Sequence, residues 1–176
     1  NYGVDTEVTF LLDSLELVVL PFVNPDGYEF TWTSTRLWRK NREANAGSSC
    51  IGTDLNRNFN DRWGEGGGST NPCSETYEGP RAMSAPETQA VQDYFRREGP
   101  FVGAIDWHAY SQLVLRPYGW TQSDAPDEPL LKECGDLFRD EAQKVFGTQF
   151  TSQKSIGLYK TTGTANDWFY SEDASA

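Results

Sequence analysis

From Thr31 to Pro80 the chain is polar, aromatic and glycine-rich, and neither a helical nor a strand period runs through it. This stretch constrains the fold most. Ordering it costs backbone entropy, and its N–H and C=O groups must find partners without a helix or sheet ladder. Connections this long in compact domains usually carry function. Regular structure therefore has to come from the flanks, and the loop has to be stapled from within.

Cys50 and Cys73 bracket its loosest part, which contains Gly64-Glu65-Gly66-Gly67-Gly68. We read them as a disulfide closing that loop, worth about 3 kcal/mol in the chain-entropy view and pointing to an oxidising compartment. Two unrelated thiols are the other reading that spacing alone leaves open. Cys134 lies among Leu130, Leu131, Leu137 and Phe138 at helical spacing, which predicts a small buried hydrophobe.

On the flanks the patterns are stronger. Val8, Leu11 and Leu12 mark the end of a short helix, and the apolar run Leu15–Val23 predicts a central strand stopped by the turn residues Asn24-Pro25-Asp26-Gly27. Ser84-Ala85-Pro86-Glu87 has capping-box spacing and opens an amphipathic helix that runs to Gly99. Residues 101–105 and 113–115 read as strands. A long helix from Glu128 to Phe146 keeps a 3.6-residue period and stops at Gly147. Ser155–Gly163 reads as a mobile loop, and Thr164–Tyr170 as the opening of a further helix. Strands alternating with long helices predict an α/β fold. The 176 residues suffice for one domain or most of one.

A net charge of −11 argues against nucleic acid as a partner, because such affinity comes from Lys and Arg on phosphates. No apolar run reaches the roughly 18 residues that span a bilayer. Against this acidic background a few groups carry chemistry. Asn56-Arg57 suits a carboxylate, since a guanidinium offers parallel donors and the amide adds another. Arg36, Arg39, Lys40 and Arg42 form a second basic cluster. His108 is the only histidine, so the chain cannot assemble an ordinary zinc site, which takes three protein ligands, by itself.

Together these residues closely resemble the zinc metallocarboxypeptidases of the pancreatic A and B type. The resemblance rests on Asn24-Pro25-Asp26-Gly27-Tyr28, Arg36-Leu37-Trp38-Arg39-Lys40, Asp54-Leu55-Asn56-Arg57-Asn58-Phe59, Asn71-Pro72-Cys73-Ser74-Glu75-Thr76-Tyr77, His108-Ala109-Tyr110-Ser111-Gln112 and Leu158-Tyr159, with Cys50. It implies a mixed, mainly parallel sheet with helices on both faces, incomplete at both ends, residues 1–176 being the central and C-terminal part of one catalytic domain. It implies Zn2+ as cofactor, one per complete domain, with His108 as the only ligand in this segment. The others would come from an upstream His-x-x-Glu, and the catalytic glutamate would lie downstream, Glu172 being too early.

By the same resemblance, Asp54 orients an upstream ligating histidine and Arg39 stabilises the oxyanion. Asn56 and Arg57 hold the substrate's terminal carboxylate, and Arg36 lines the approach. Tyr159 closes over the bound residue, Tyr110 contacts the preceding ones, and Cys50 bridges to Cys73. Asn166 falls at the base of the specificity pocket, where A-type enzymes carry an aliphatic residue and B-type an acidic one. A neutral amide there suits a polar side chain. Asp106 nearby favours a basic one, a charge that Lys154 and Lys160 offset. The implied activity is removal of C-terminal residues from peptides and proteins by a secreted enzyme, with an inhibitory propeptide outside this segment as a further partner. A module that binds C-termini without hydrolysis is the alternative.

Overall fold

A computed structural model describes residues 1–173. Five α-helices and two strands are present among them: α1 (Thr6–Ser14), α2 (Pro25–Thr33), α3 (Pro86–Glu98), β1 (Leu113–Arg116), α4 (Glu128–Phe146), β2 (Thr151–Lys154) and α5 (Ala165–Asp173). β1 and β2 pair in parallel, Leu113 opposite Thr151 and Arg116 opposite Lys154, with α4 as the crossover packed against both. This is a β-α-β unit of an α/β protein.

α4 forms where its period predicts. Gly147, at φ 71°, ends it in the left-handed conformation and returns its N–H to the Gln143 carbonyl at 2.7 Å. The helix meets the strands through Gly135, where a Cβ would lie 2.9 Å from Ser152 Oγ. Arg116 fixes the near end by donating from Nε and Nη2 to Glu128 Oε1, at 3.0 and 2.9 Å. Only the side of α4 bearing Leu131, Gly135, Phe138 and Ala142 packs inward. Cys134 falls on the adjoining face and is exposed, contrary to expectation, because the apolar stripe is wider than the surface the strands offer.

Other expectations fail for similarly physical reasons. Leu15–Val23 is not a strand: no partner pairs with it among the described residues, and Leu17 and Val19 are 72% and 70% exposed. Residues 101–105 likewise lack a ladder, with Phe101 stacked on Phe95 instead. A strand is a property of a pair, and an apolar run supplies only half of one. Asn24-Pro25 does not stop the chain but starts α2. Asn24 Oδ1 caps the Gly27 N–H at 3.0 Å, and proline sits in the first turn, where it costs no hydrogen bond. The Ser84–Glu87 capping box does not form either. Ser84 Oγ accepts from Asn58 Nδ2, and Glu87 Oε2 from Asn41 Nδ2, so both side chains serve tertiary partners. Polar β2 carries no alternation and is invisible to periodicity. The segment expected to move, Ser155–Gly163, is buried over Thr161–Gly163.

The interior has an apolar half and a polar half. Phe59, Met83, Ala165 and Trp168 form the apolar cluster, joined by Val91, Phe95 and Phe169. Beside it lies a set of buried amides. Asn58, wholly buried, faces the Glu78 and Arg81 carbonyls and the Ser84 hydroxyl with Nδ2, at 2.8, 3.0 and 2.9 Å. Its Oδ1 accepts from the Ala85 N–H at 3.0 Å and the Thr88 hydroxyl at 2.9 Å. Asn41 organises the other flank. Its Oδ1 accepts from the Thr53 N–H at 2.7 Å, and its own N–H donates to the Thr53 carbonyl. The loop thus holds its shape through side-chain amides standing in for ladder partners. The expected Cys50–Cys73 disulfide is present and closes it.

Truncating Asn58 orphans several buried groups at once. Asn58→Ala is expected to lower unfolding free energy by about 3 kcal/mol or more, measured by urea denaturation. Asn58→Asp should also destabilise, since a carboxylate has no N–H for the facing carbonyls; a loss below about 1 kcal/mol in both would refute the hub role.

Candidate functional site

The site is built on a short 3-10 turn, Leu55–Arg57, which Asp54 caps by accepting the Asn56 N–H at 3.2 Å. The backbone is pinned on both sides: Asp54 N–H donates to the Tyr77 carbonyl and Phe59 N–H to the Gly163 carbonyl. The Asp54 carboxylate, 2% exposed, accepts from Arg39 Nε at 2.9 Å and lies 3.9 Å from Arg57 Nη1. One buried anion therefore faces two cations, and without it the buried Arg57 guanidinium would be strongly unfavourable.

Arg57 is itself buried. Its Nε donates to the Gly67 carbonyl at 3.1 Å, Nη1 to the Asn56 carbonyl at 2.5 Å, and Nη2 to the Tyr159 hydroxyl at 3.3 Å. The Tyr159 ring lies over the guanidinium at 5.9 Å and is half exposed. Asn56 reaches two ways. Its Oδ1 accepts from the Ala165 N–H at 2.8 Å, at the start of α5, and this fixes the amide so that Nδ2 faces His108 Nε2 at 3.1 Å.

The same His108 nitrogen lies 2.7 Å from Asp106 Oδ2. It cannot both donate to the carboxylate and accept from the amide, so one contact is unsatisfied in either tautomer. The bond to Asp106 raises the imidazole above its usual range against the opposing effect of desolvation. Among the described residues no group of three His, Cys, Asp or Glu side chains is placed to hold a metal ion. His108 brings one imidazole where a zinc site takes three protein ligands, so these residues alone do not fit zinc.

The structure thus brings Arg39, Asp54, Asn56, Arg57, His108 and Tyr159 into one connected group. Asn166 follows Ala165 on α5 and donates to Ser155 Oγ at 3.0 Å. Arg36 stands apart, stacked on Trp32 at 4.8 Å, and Tyr110 is 89% exposed. Lys154 is engaged by Asp124 Oδ1 and the Gln122 carbonyl, and Lys160 by the Glu65 carbonyl. Periodicity and motif spacing do not reveal Gly67 and Thr162, whose backbone and hydroxyl lie behind Arg57.

The profile of the zinc carboxypeptidase family, peptidase M14, matches residues 1–175. The chain belongs to this family. It is 42% identical over 167 residues to a metallocarboxypeptidase A-like protein of Trichophyton verrucosum, covering 92% of this chain and 39% of that protein. It is 41% identical over 174 residues to human carboxypeptidase B, covering 98% and 42%. The chain thus spans about two fifths of the length of these curated relatives. The crystal structure of thrombin-activatable fibrinolysis inhibitor superposes with a TM-score of 0.87 at 34% identity, over 97% of this chain and 44% of that one. The α/β fold is that of the zinc carboxypeptidases.

Another buried carboxylate of this chain is Asp167, on the first turn of α5. It accepts the Gly119 N–H at 2.8 Å. Burial, reinforced by the nearby Asp61 charge, raises it from 3.8 to about 6, against the hydrogen bonds that favour its charged form. The folded state therefore holds this proton more tightly than the unfolded state. Its contribution to stability is full below about pH 4 and is lost as pH rises through about 6. Asp167→Asn removes the titration. The variant is expected to gain stability relative to the parent between pH 4 and pH 7, by up to about 3 kcal/mol, in urea unfolding at the two pH values. A difference constant across that range would show that Asp167 titrates normally.

Proposed function

We propose that this chain forms the substrate-anchoring part of a zinc-dependent metallocarboxypeptidase, a hydrolase that removes the C-terminal residue from peptides and proteins. The observation that carries this reading is Arg57: a buried guanidinium beside Asp54 whose Nη2 meets the half-exposed Tyr159 hydroxyl, with the Asn56 amide donor on the same turn, groups of the kind a terminal carboxylate needs. Family membership supports it.

In this reading Arg57 and Asn56 grip the terminal carboxylate and so restrict cleavage to the last peptide bond. Tyr159 covers the bound residue, its hydroxyl giving way to the carboxylate on Arg57. Arg39, held by Asp54, supplies positive charge for the oxygen that becomes anionic when the scissile carbonyl is attacked. Asp54 is also the group that orients a ligating histidine from outside the described residues. Arg36 lines the approach, Tyr110 meets the preceding residues, and Asn166 lies at the base of the pocket for the last side chain. His108 contributes one metal ligand, and the rest of the zinc site lies beyond this segment.

The natural partner is a peptide or protein C-terminus. The Cys50–Cys73 disulfide supports an extracellular location. No helix among the described residues is long and apolar enough to cross a membrane.

The test is Arg57→Ala in the complete protein, with Arg57→Lys beside it to retain the charge without the planar fork. Both should lower kcat/KM for release of C-terminal residues, the alanine variant by about a hundredfold or more, while metal analysis still finds one zinc per chain. Unchanged turnover in Arg57→Ala would remove Arg57 from this role. The 176 residues expressed alone should hold less than stoichiometric zinc and show no peptidase activity. One tightly bound zinc per chain, found by elemental analysis, would overturn that expectation.

A further inference from the structure

We propose that Gly67 and Thr162 are positioning residues for Arg57: together they select which edge of its guanidinium meets the substrate carboxylate. The inference rests on the reading that Arg57 holds that carboxylate.

A guanidinium presents two forks, Nε with Nη2 along its side and Nη1 with Nη2 at its end. The Gly67 carbonyl occupies Nε at 3.1 Å, which closes the side-on fork. The end-on pair then remains for a carboxylate: Nη1 donates one of its two N–H groups to the Asn56 carbonyl and keeps the other, and Nη2 meets the hydroxyl of Tyr159, itself half exposed. An arginine free to turn would offer either fork and place the substrate in either of two registers.

The Gly67 carbonyl is itself held. Gly67 N–H donates to Thr162 Oγ1 at 3.1 Å, and Thr162 is 1% exposed. Both polar backbone groups of Gly67 are thus committed, one to the segment after Tyr159 and the other to Arg57. The approach is open only to glycine. A Cβ at position 67 would lie 2.1 Å from Thr162 N and 2.4 Å from Thr161 C, both backbone atoms that cannot swing aside.

The surrounding loop is fastened at two further points. Lys160 Nζ donates to the Glu65 carbonyl at 2.7 Å, and Lys40 Nζ to the Pro72 carbonyl at 2.6 Å, beside the Cys73 disulfide. The glycine run read from sequence as a loose loop therefore acts as a template. It sets Arg57 through Gly67, and it seats the segment that carries Tyr159.

The experiment compares Thr162→Val, Thr162→Ser and Gly67→Ala with Arg57→Ala, all in the complete protein. Its readouts are kcat, KM for a peptide with a free C-terminus, and the inhibition constant of 3-phenylpropionate as a simple carboxylate probe. Thr162→Val, which keeps the shape and loses the acceptor, should raise KM and the inhibition constant about tenfold with kcat within about twofold. Thr162→Ser, which keeps the hydroxyl, should return both toward the parent values. Gly67→Ala should show the larger effect; if it does not fold, the Thr162 pair decides alone. The proposal is overturned if Thr162→Val leaves KM and the inhibition constant unchanged, lowers kcat alone, or is matched by Thr162→Ser. In each case, an Arg57→Ala variant that still loses carboxylate binding leaves the Arg57 reading standing. An Arg57→Ala variant that loses nothing removes that reading itself.

Discussion

The Asn58 amide, buried beneath the Leu55–Arg57 turn, joins the Glu78 and Arg81 carbonyls, the Ser84 hydroxyl, the Ala85 N–H and the Thr88 hydroxyl to one side chain. Those partners come from the stretch before α3 and from its first turn. The amide therefore fixes a loop against a helix and, one residue away, the backbone that carries Arg57. Few side chains can do this, since both donors and an acceptor are needed on one short stem. Ordered loop backbone here is held by such amides, with Asn41 and Asn24 repeating the device on neighbouring segments.

Electrostatics follows from the same enclosure. An acidic chain has placed its site cations beside a buried anion, Arg39 and Arg57 both on Asp54. A buried carboxylate between two guanidinium groups is stable because each pays the desolvation of the others. Asp167 has no such cation among its named partners, which is why burial dominates its proton affinity.

Much of the fold was legible wherever local pattern and tertiary outcome coincide. α4 carries a 3.6-residue period and a terminal glycine, and both mean the same thing in isolation and in the structure. The apolar runs at 15–23 and 101–105 show the converse, since strand formation needs a partner that a run cannot supply. Ser84 and Glu87 have capping spacing but are claimed by Asn58 and Asn41, where burial makes a hydrogen bond worth more than at an exposed helix end. At the site, Asn56, Arg57 and His108 were legible as chemistry, while Tyr159 and Asn166 were legible only through family resemblance.

By itself the sequence determined which chemical groups exist: a lone imidazole, an Asn-Arg pair, a cysteine pair around a glycine run, and two long amphipathic helices. Residue identity and short-range spacing suffice for these. The tertiary structure alone decided their geometry. It put Tyr159 on Arg57 and Ala165 against Asn56, and it closed the side-on edge of the guanidinium by seating the Gly67 carbonyl on Nε, with the Thr162 hydroxyl behind it. Those contacts join residues far apart in the chain through backbone atoms. Backbone atoms are alike at every position, so no pattern of side chains announces them.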